Sequence, residues 1–288
     1  MANRQRHGTL ALLATGMLAL AADSLQAGSP VYVGRKVARS ALRPMDQVDH
    51  SPWDRLLKKY VDTDGYVDYR SWHASAADRR ALQSYLASLS QADPTRRVSR
   101  DAGLAFWINA YNALTVEGIL REYPTTSIRN HTARLFGYNI WKDLQLYVGG
   151  RPYALEYMEH QILRRMREPR IHFAIVCASI GCPRLLNEAY VSDRLDAQLE
   201  ANARDFFRRP KNFRYDARSR TFHVSSILKW FASDFGENQA AQLRRIAPWL
   251  PTAEAQRAAR ENRVSIAYLD YDWKLNDQAS RRRISRRR

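Results

Sequence analysis

Between residues 156 and 182 the sequence gathers Glu156, Glu159, His160, Arg164, Arg170, His172, Cys177, Ser179 and Cys182. Carboxylate, imidazole and thiol together are the ingredients of nucleophilic catalysis, because a thiolate beside an imidazolium attacks an acyl carbon near neutral pH. On a helix, Glu156, His160 and Arg164 stand four apart, so Glu156 or Glu159 can orient His160. The segment Ile171 to Cys177 is short, apolar and β-rich and reads as a buried strand. Alternation along a strand then sends His172 to one face and Cys177 to the other, which leaves His160, arriving from a different element, as the base for Cys177.

Other chemistries compete for the same residues. Cys177 and Cys182 lie five apart across Gly181, close enough for a structural disulfide or for a pair of inert buried thiols. A metal site would use His160, His172, Cys177 and Cys182, but their spacing fits no common structural zinc pattern, so neither metal nor cofactor is assigned. Ser179 lacks the G-x-S-x-G elbow of a serine hydrolase. Asp62, Asp64 and Asp68 miss the register of a calcium-binding EF-hand loop.

The elements that must position these groups are mixed in type. DAGLAFWINAYNALTVEGILREYP, residues 101 to 124, is the most strongly patterned segment, with Asp101 placed to cap a helix and Pro124 beyond its end. Apolar residues ring it nearly completely, so the helix is surrounded by protein. Asn109 and Asn112 are three apart on one stripe of that helix: they either satisfy neighbouring backbone groups and lock the fold, or offer an amide to a substrate oxyanion.

Hairpin signals occur around Asp64-Gly65, Gly149-Gly150 and residues 212 to 225, with helical patterns near 53–60, 82–89, 155–166, 193–208, 226–235 and 239–246. The pairs Trp230-Phe231 and Asp272-Trp273 read as core anchors. The irregular alternation predicts an α+β fold, a single globular domain with a buried central helix packed against a small mixed or antiparallel sheet.

The N-terminus has the three parts of an export signal: Arg4 and Arg6, an apolar run from Thr9 to Ala22, and small residues to Ala27. The run is shorter than the roughly 20 residues that cross a bilayer, so no transmembrane span is expected after cleavage. The expected organisation is signal peptide 1–27, linker 28–50, globular domain 51–276 and a basic disordered tail 277–288, in a periplasmic or secreted protein. Two cysteines rule out a disulfide-dense scaffold. Net charge is +17, six of it from the terminal RRRISRRR. The remainder favours an anionic envelope polymer or lipid surface as partner, and export argues against nucleic acid.

At these residues the sequence resembles the domain of unknown function 547 family. AFWINAYNALT at 105–115, EHQILR at 159–164 and PRIHFAIVCASIGCP at 169–183 look like its signature blocks, and VDTDGYVDY, SILKWFASDF and YLDYDWKLND look similar too. The resemblance runs from about residue 50 to 276. It implies that Asn109, Asn112, His160, His172, Cys177 and Cys182 fall inside the family's blocks, and it carries over no catalytic role. The arginine tail lies outside the pattern.

The functional expectation is a cysteine-dependent acyl transferase or hydrolase of the cell envelope: Cys177 attacks, His160 is the base, Glu156 or Glu159 orients it, and Asn109 or Asn112 stabilises the oxyanion. The alternatives are a non-catalytic envelope binding module closed by a disulfide, and a thiol redox protein using both cysteines.

Overall fold

A computed structural model describes residues 29–132 and 138–285; the export signal read at 1–27 lies outside the described residues. The chain begins with a short strand, β1 (Val31–Val33), followed by helices α1 (Ser51–Tyr60), α2 (Tyr69–Ala74), α3 (Ala76–Leu89) and α4 (Arg100–Glu122). Side-chain caps start three of these helices: Asp68 accepts from Ser71 N–H, Ser75 from Asp78 N–H and Ser99 from Ala102 N–H. Ser99, rather than Asp101, therefore caps the central helix, because only the residue before the first turn can turn its oxygen back to the third amide.

All residues from Ala102 to Leu120 of α4 are buried, as the all-round apolar pattern predicts. Gly118 is where the helix meets the sheet. A Cβ there would lie 2.5 Å from Ile140 Cδ1 and 2.9 Å from Leu144 Cδ2. Strands β2 (Leu144–Val148) and β3 (Arg151–Ala154) form the hairpin turned by Gly149-Gly150, and β1 adds to β2 in parallel. The segment 28–50, read as a linker, thus supplies a sheet strand and buries Val33, Met45 and Val48. Three strand residues are too few to show a period.

A second mixed sheet joins β4 (Phe213–Asp216), β5 (Thr221–Ser225) and β6 (Ser265–Leu269), with β5 antiparallel to β4 and parallel to β6. Around it lie α6 (Leu195–Arg208), α7 (Ile227–Trp230), α8 (Ala232–Phe235), α9 (Gln239–Ile246) and α10 (Ala253–Arg260). The result is a single α+β domain with a buried central helix against small mixed sheets, and with two hydrophobic cores. One surrounds α4; the other is built on Phe206, Phe207, Phe213 and Phe222.

Three local readings are corrected. Ile171–Cys177 is not a strand: Pro169–Phe173 is a 3-10 turn and the chain beyond it is irregular. Its apolarity reflects a crossing from one core to the other, with Phe173 in the second core and Ala174 in the first. The helix at 155–166 starts as α5 (Leu155–Tyr157), becomes a π-helix over Met158–Leu163 and ends in a 3-10 turn, Arg164–Met166. The tail read as disordered from 277 begins as helix α11 (Gln278–Ser285), tied down by the Gln278 amide donating to the Tyr60 and Tyr66 carbonyls and by Arg281 paired with Asp64 at 2.7 Å.

His50 makes the stability of the first core pH-dependent. Its Nδ1 is 2.7 Å from the Tyr85 hydroxyl, and burial, opposed only by the charge of Asp49, pushes its pKa from 6.5 down to about 4. A depressed imidazole pKa means the unfolded chain takes up the proton first. Stability is therefore complete above 6.5 and is expected to fall by roughly 3 kcal/mol as pH drops toward 4. Denaturant unfolding on either side of that interval, for wild type and His50→Gln, checks this: the drop should shrink in the variant.

Candidate functional site

The loop from Ala174 to Pro183 is shaped by side chains rather than by a ladder. The Asn112 carboxamide donates to the Ala174 carbonyl and accepts from Val176 N–H, both at 3.0 Å, and Asn202 donates to the Phe173 carbonyl. Asn109 does the same for Tyr190, bonding its carbonyl at 2.8 Å and its N–H at 3.0 Å. Both carboxamides therefore hold backbone, and neither lines the cavity of the cysteines.

Beyond Val176 the chain turns through Ala178, a non-glycine residue at φ 57°, a left-handed conformation that costs energy and marks a constrained turn. The turn brings the two cysteines together. Both are free thiols; Cys182 is buried and Cys177 half-buried. Cys177 N–H donates to Cys182 Sγ at 2.9 Å, the Cys177 thiol contacts Ser179 Oγ at 3.4 Å, and the Tyr271 hydroxyl is 3.0 Å from Cys182 Sγ and 3.1 Å from Cys177 Sγ.

Tyr271 arrives on a strap at the far end of the chain. Ile180 N–H bonds the Lys274 carbonyl, Gly181 N–H the Asp272 carbonyl, and Asn276 N–H the Ala178 carbonyl. Gly181 permits this approach: a Cβ would lie 3.0 Å from Asp272 N and from two Tyr271 ring carbons.

The electrostatics treat the sulfurs as one unit. Burial would raise the ionisation of Cys182, but hydrogen bonds from the Cys177 thiol, the Tyr271 hydroxyl and the N–H groups of Cys177 and Ser179 outweigh it and lower it to about 7. Cys177, donating to Cys182, buried and beside that charge, is pushed well above an ordinary thiol. The pair thus gives up one proton readily and the second with difficulty. Tyr271, raised by burial and by the sulfur charge, stays a neutral donor.

The pair lies on the wall of a cavity of about 380 Å³ that also includes Glu156, Glu159, His160 and His172. Six predicted residues therefore share one cavity, while Asn109, Asn112 and Ser179 do not line it. The predicted relay is not formed. Glu156 pairs with Lys142 at 3.8 Å, Glu159 accepts from the Tyr111 hydroxyl at 3.1 Å, and His160 Nδ1 is bonded by Arg164 at 3.2 Å. The π-helix is the reason, since it breaks the 3.6-residue period on which a four-apart spacing depends.

The rest of the wall was misread or missed. Trp230 is 47% exposed, and Trp230, Tyr271 and Trp273 stack around the cavity at centroid separations of 4.5–5.8 Å, so these aromatics are a lining and not core anchors. Behind them His172 Nε2 meets Asp234 Oδ2 at 2.7 Å, and Arg164 grips both oxygens of Asp234 at 2.7 Å. Asp234, which burial would raise, is held far below the carboxylate range by Arg164 and His172. A second cavity, about 410 Å³ beside His50, is lined by no thiol, and its Asp49 and Asp54 are already bonded to Ser51 and Lys58.

Fold and site define a single-domain α+β protein with a paired-thiol centre in an aromatic cavity. Residues 95–207 match the family described as "Protein of unknown function, DUF547". The match covers α4, the histidines and both cysteines, and ends before Asp234 and Tyr271. No curated protein and no solved structure matches the chain.

Proposed function

We propose that this protein is an exported, cysteine-dependent acyl transferase or hydrolase of the cell envelope, with Cys177 as nucleophile. One observation carries the reading: the less buried of two hydrogen-bonded thiols lines an aromatic cavity, with a neutral tyrosine hydroxyl 3.1 Å from its sulfur. A thiol pair that loses one proton near neutrality keeps a thiolate next to the attacking sulfur, where it stabilises the cation formed when a base takes the second proton. Tyr271 takes the part that the carboxamides of Asn109 and Asn112 cannot play, as a donor beside the reacting acyl oxygen. The export signal read at 1–27 and the basic surface support the envelope assignment.

The test is to incubate the mature protein with p-nitrophenyl acetate and analyse the quenched protein by mass spectrometry. One acetyl group on Cys177, absent from Cys177→Ala, is expected; an equal adduct in that variant overturns the reading. The contact between the two thiols also favours a thiol redox role, which predicts ready cycling with dithiothreitol between reduced and bridged forms and no acetyl adduct.

A further inference from the structure

We infer that His172, held by Asp234, is the general base of the thiol site; the inference rests on the reading of Cys177 as nucleophile. A strand would have turned His172 away from Cys177, but the residue sits in a 3-10 turn and lines the same cavity as both sulfurs, five positions before Cys177. Its ring is fixed on two sides. Nε2 is 2.7 Å from Asp234 Oδ2, and the Phe231 ring stacks on it at 4.1 Å and 21°. Asp234 is itself immobilised by the two-pronged grip of Arg164.

A carboxylate accepts and cannot donate, so the neutral imidazole keeps its proton on Nε2 and leaves Nδ1 with the lone pair. The His172 side chain is 1% exposed, so its contact with Asp234 is made away from solvent. His160 lacks this arrangement: its Nδ1 lone pair is already occupied by Arg164, and among the described contacts no carboxylate orients its ring.

His172 then serves both halves of the reaction. As Sγ of Cys177 bonds to the acyl carbon, its proton passes to His172 Nδ1. His172 returns that proton to the leaving oxygen or nitrogen as the acyl bond breaks. Water or a hydroxyl acceptor next attacks the thioester, giving its proton to His172, and the departing Cys177 sulfur recovers it as the carbon–sulfur bond breaks. Arg164, Phe231 and Asp234 are positioning residues; Asp234 also balances the imidazolium. The other titratable groups on this cavity are Cys182, Tyr271, Tyr111, Glu156, Glu159, His160 and Lys142, and the hydrogen bonds to Cys182 lower its ionisation to about 7.

The experiment follows acetylation of Cys177 by p-nitrophenyl acetate against pH in wild type, His172→Gln, Asp234→Asn and His160→Gln, with circular dichroism to show each is folded. His172→Gln is expected to acetylate at least about 100-fold more slowly, the usual scale of a lost general base. Asp234→Asn should slow it about tenfold or more, because the ring loses the acceptor that fixes its tautomer and orientation. His160→Gln should change the rate by less than about threefold. Wild-type rates in folded His172→Gln or Asp234→Asn overturn the inference while leaving Cys177 as nucleophile. A wild type that never acetylates Cys177 overturns both. Asp234→Asn keeps the volume of the side chain, and recovery of His172→Gly by added imidazole reads out the same base if the glutamine variant does not fold.

Discussion

Replacing Cys182 with alanine is expected to lower the midpoint of Cys177 alkylation. In the wild type Cys177 is pushed well above an ordinary thiol, first because it donates to Cys182, then by burial and by the charge on Cys182. Without Cys182 both effects of the partner go, while Ser179 and Tyr271 still favour the thiolate and burial alone opposes it. The midpoint should move down toward the ordinary value of about 8.5. The rate at neutral pH rises less than the thiolate fraction does, because a less basic thiolate is the poorer nucleophile. Iodoacetamide kinetics followed by mass spectrometry give the midpoint directly; one that rises in Cys182→Ala would mean that Cys182 shares the charge of Cys177 instead of opposing it.

Truncation of Phe173 to alanine should cost about 3–5 kcal/mol, the range for removing a fully buried aromatic ring. Phe173 has no exposed surface and packs against Phe206 at 4.6 Å, Phe207 at 5.4 Å, Phe235 at 5.7 Å and Trp249 at 5.7 Å between centroids. These rings come from three separate elements that cannot all close on the vacated space. The melting temperature should drop on the order of 10 °C by calorimetry. Trp230→Ala, at an exposed aromatic, is the control and should fall within about 1 kcal/mol of wild type. A near-neutral Phe173→Ala would mean that the second core repacks around the loss.

The elements with a clear period were legible in advance. The central helix, the hairpin turned by Gly149-Gly150, the hairpin within 212–225 and the α+β class follow from apolar spacing and turn residues, and each is observed. The cavity was legible as a list of reactive residues, six of which line it. Their mutual geometry was not. The π-helix at Met158–Leu163 shifts His160 out of a relay that assumed regular turns, and the stretch before Cys177 owes its apolarity to lying between two cores. Tyr271 and Asp234 lie 94 and 62 residues from the groups they touch, a separation that no local pattern reports. The one local hint was Gly181, whose missing side chain makes room for a distant segment.

The strap carrying Tyr271 sets an order of events during synthesis. The cysteine loop emerges from the ribosome long before residues 271–277 exist, and until they arrive Ile180, Gly181 and Ala178 have no backbone partners from the strap and Cys182 has no tyrosine donor. Before those contacts form the sulfurs lack these donors, so the chemistry of the site depends on the docking of residues 271–277.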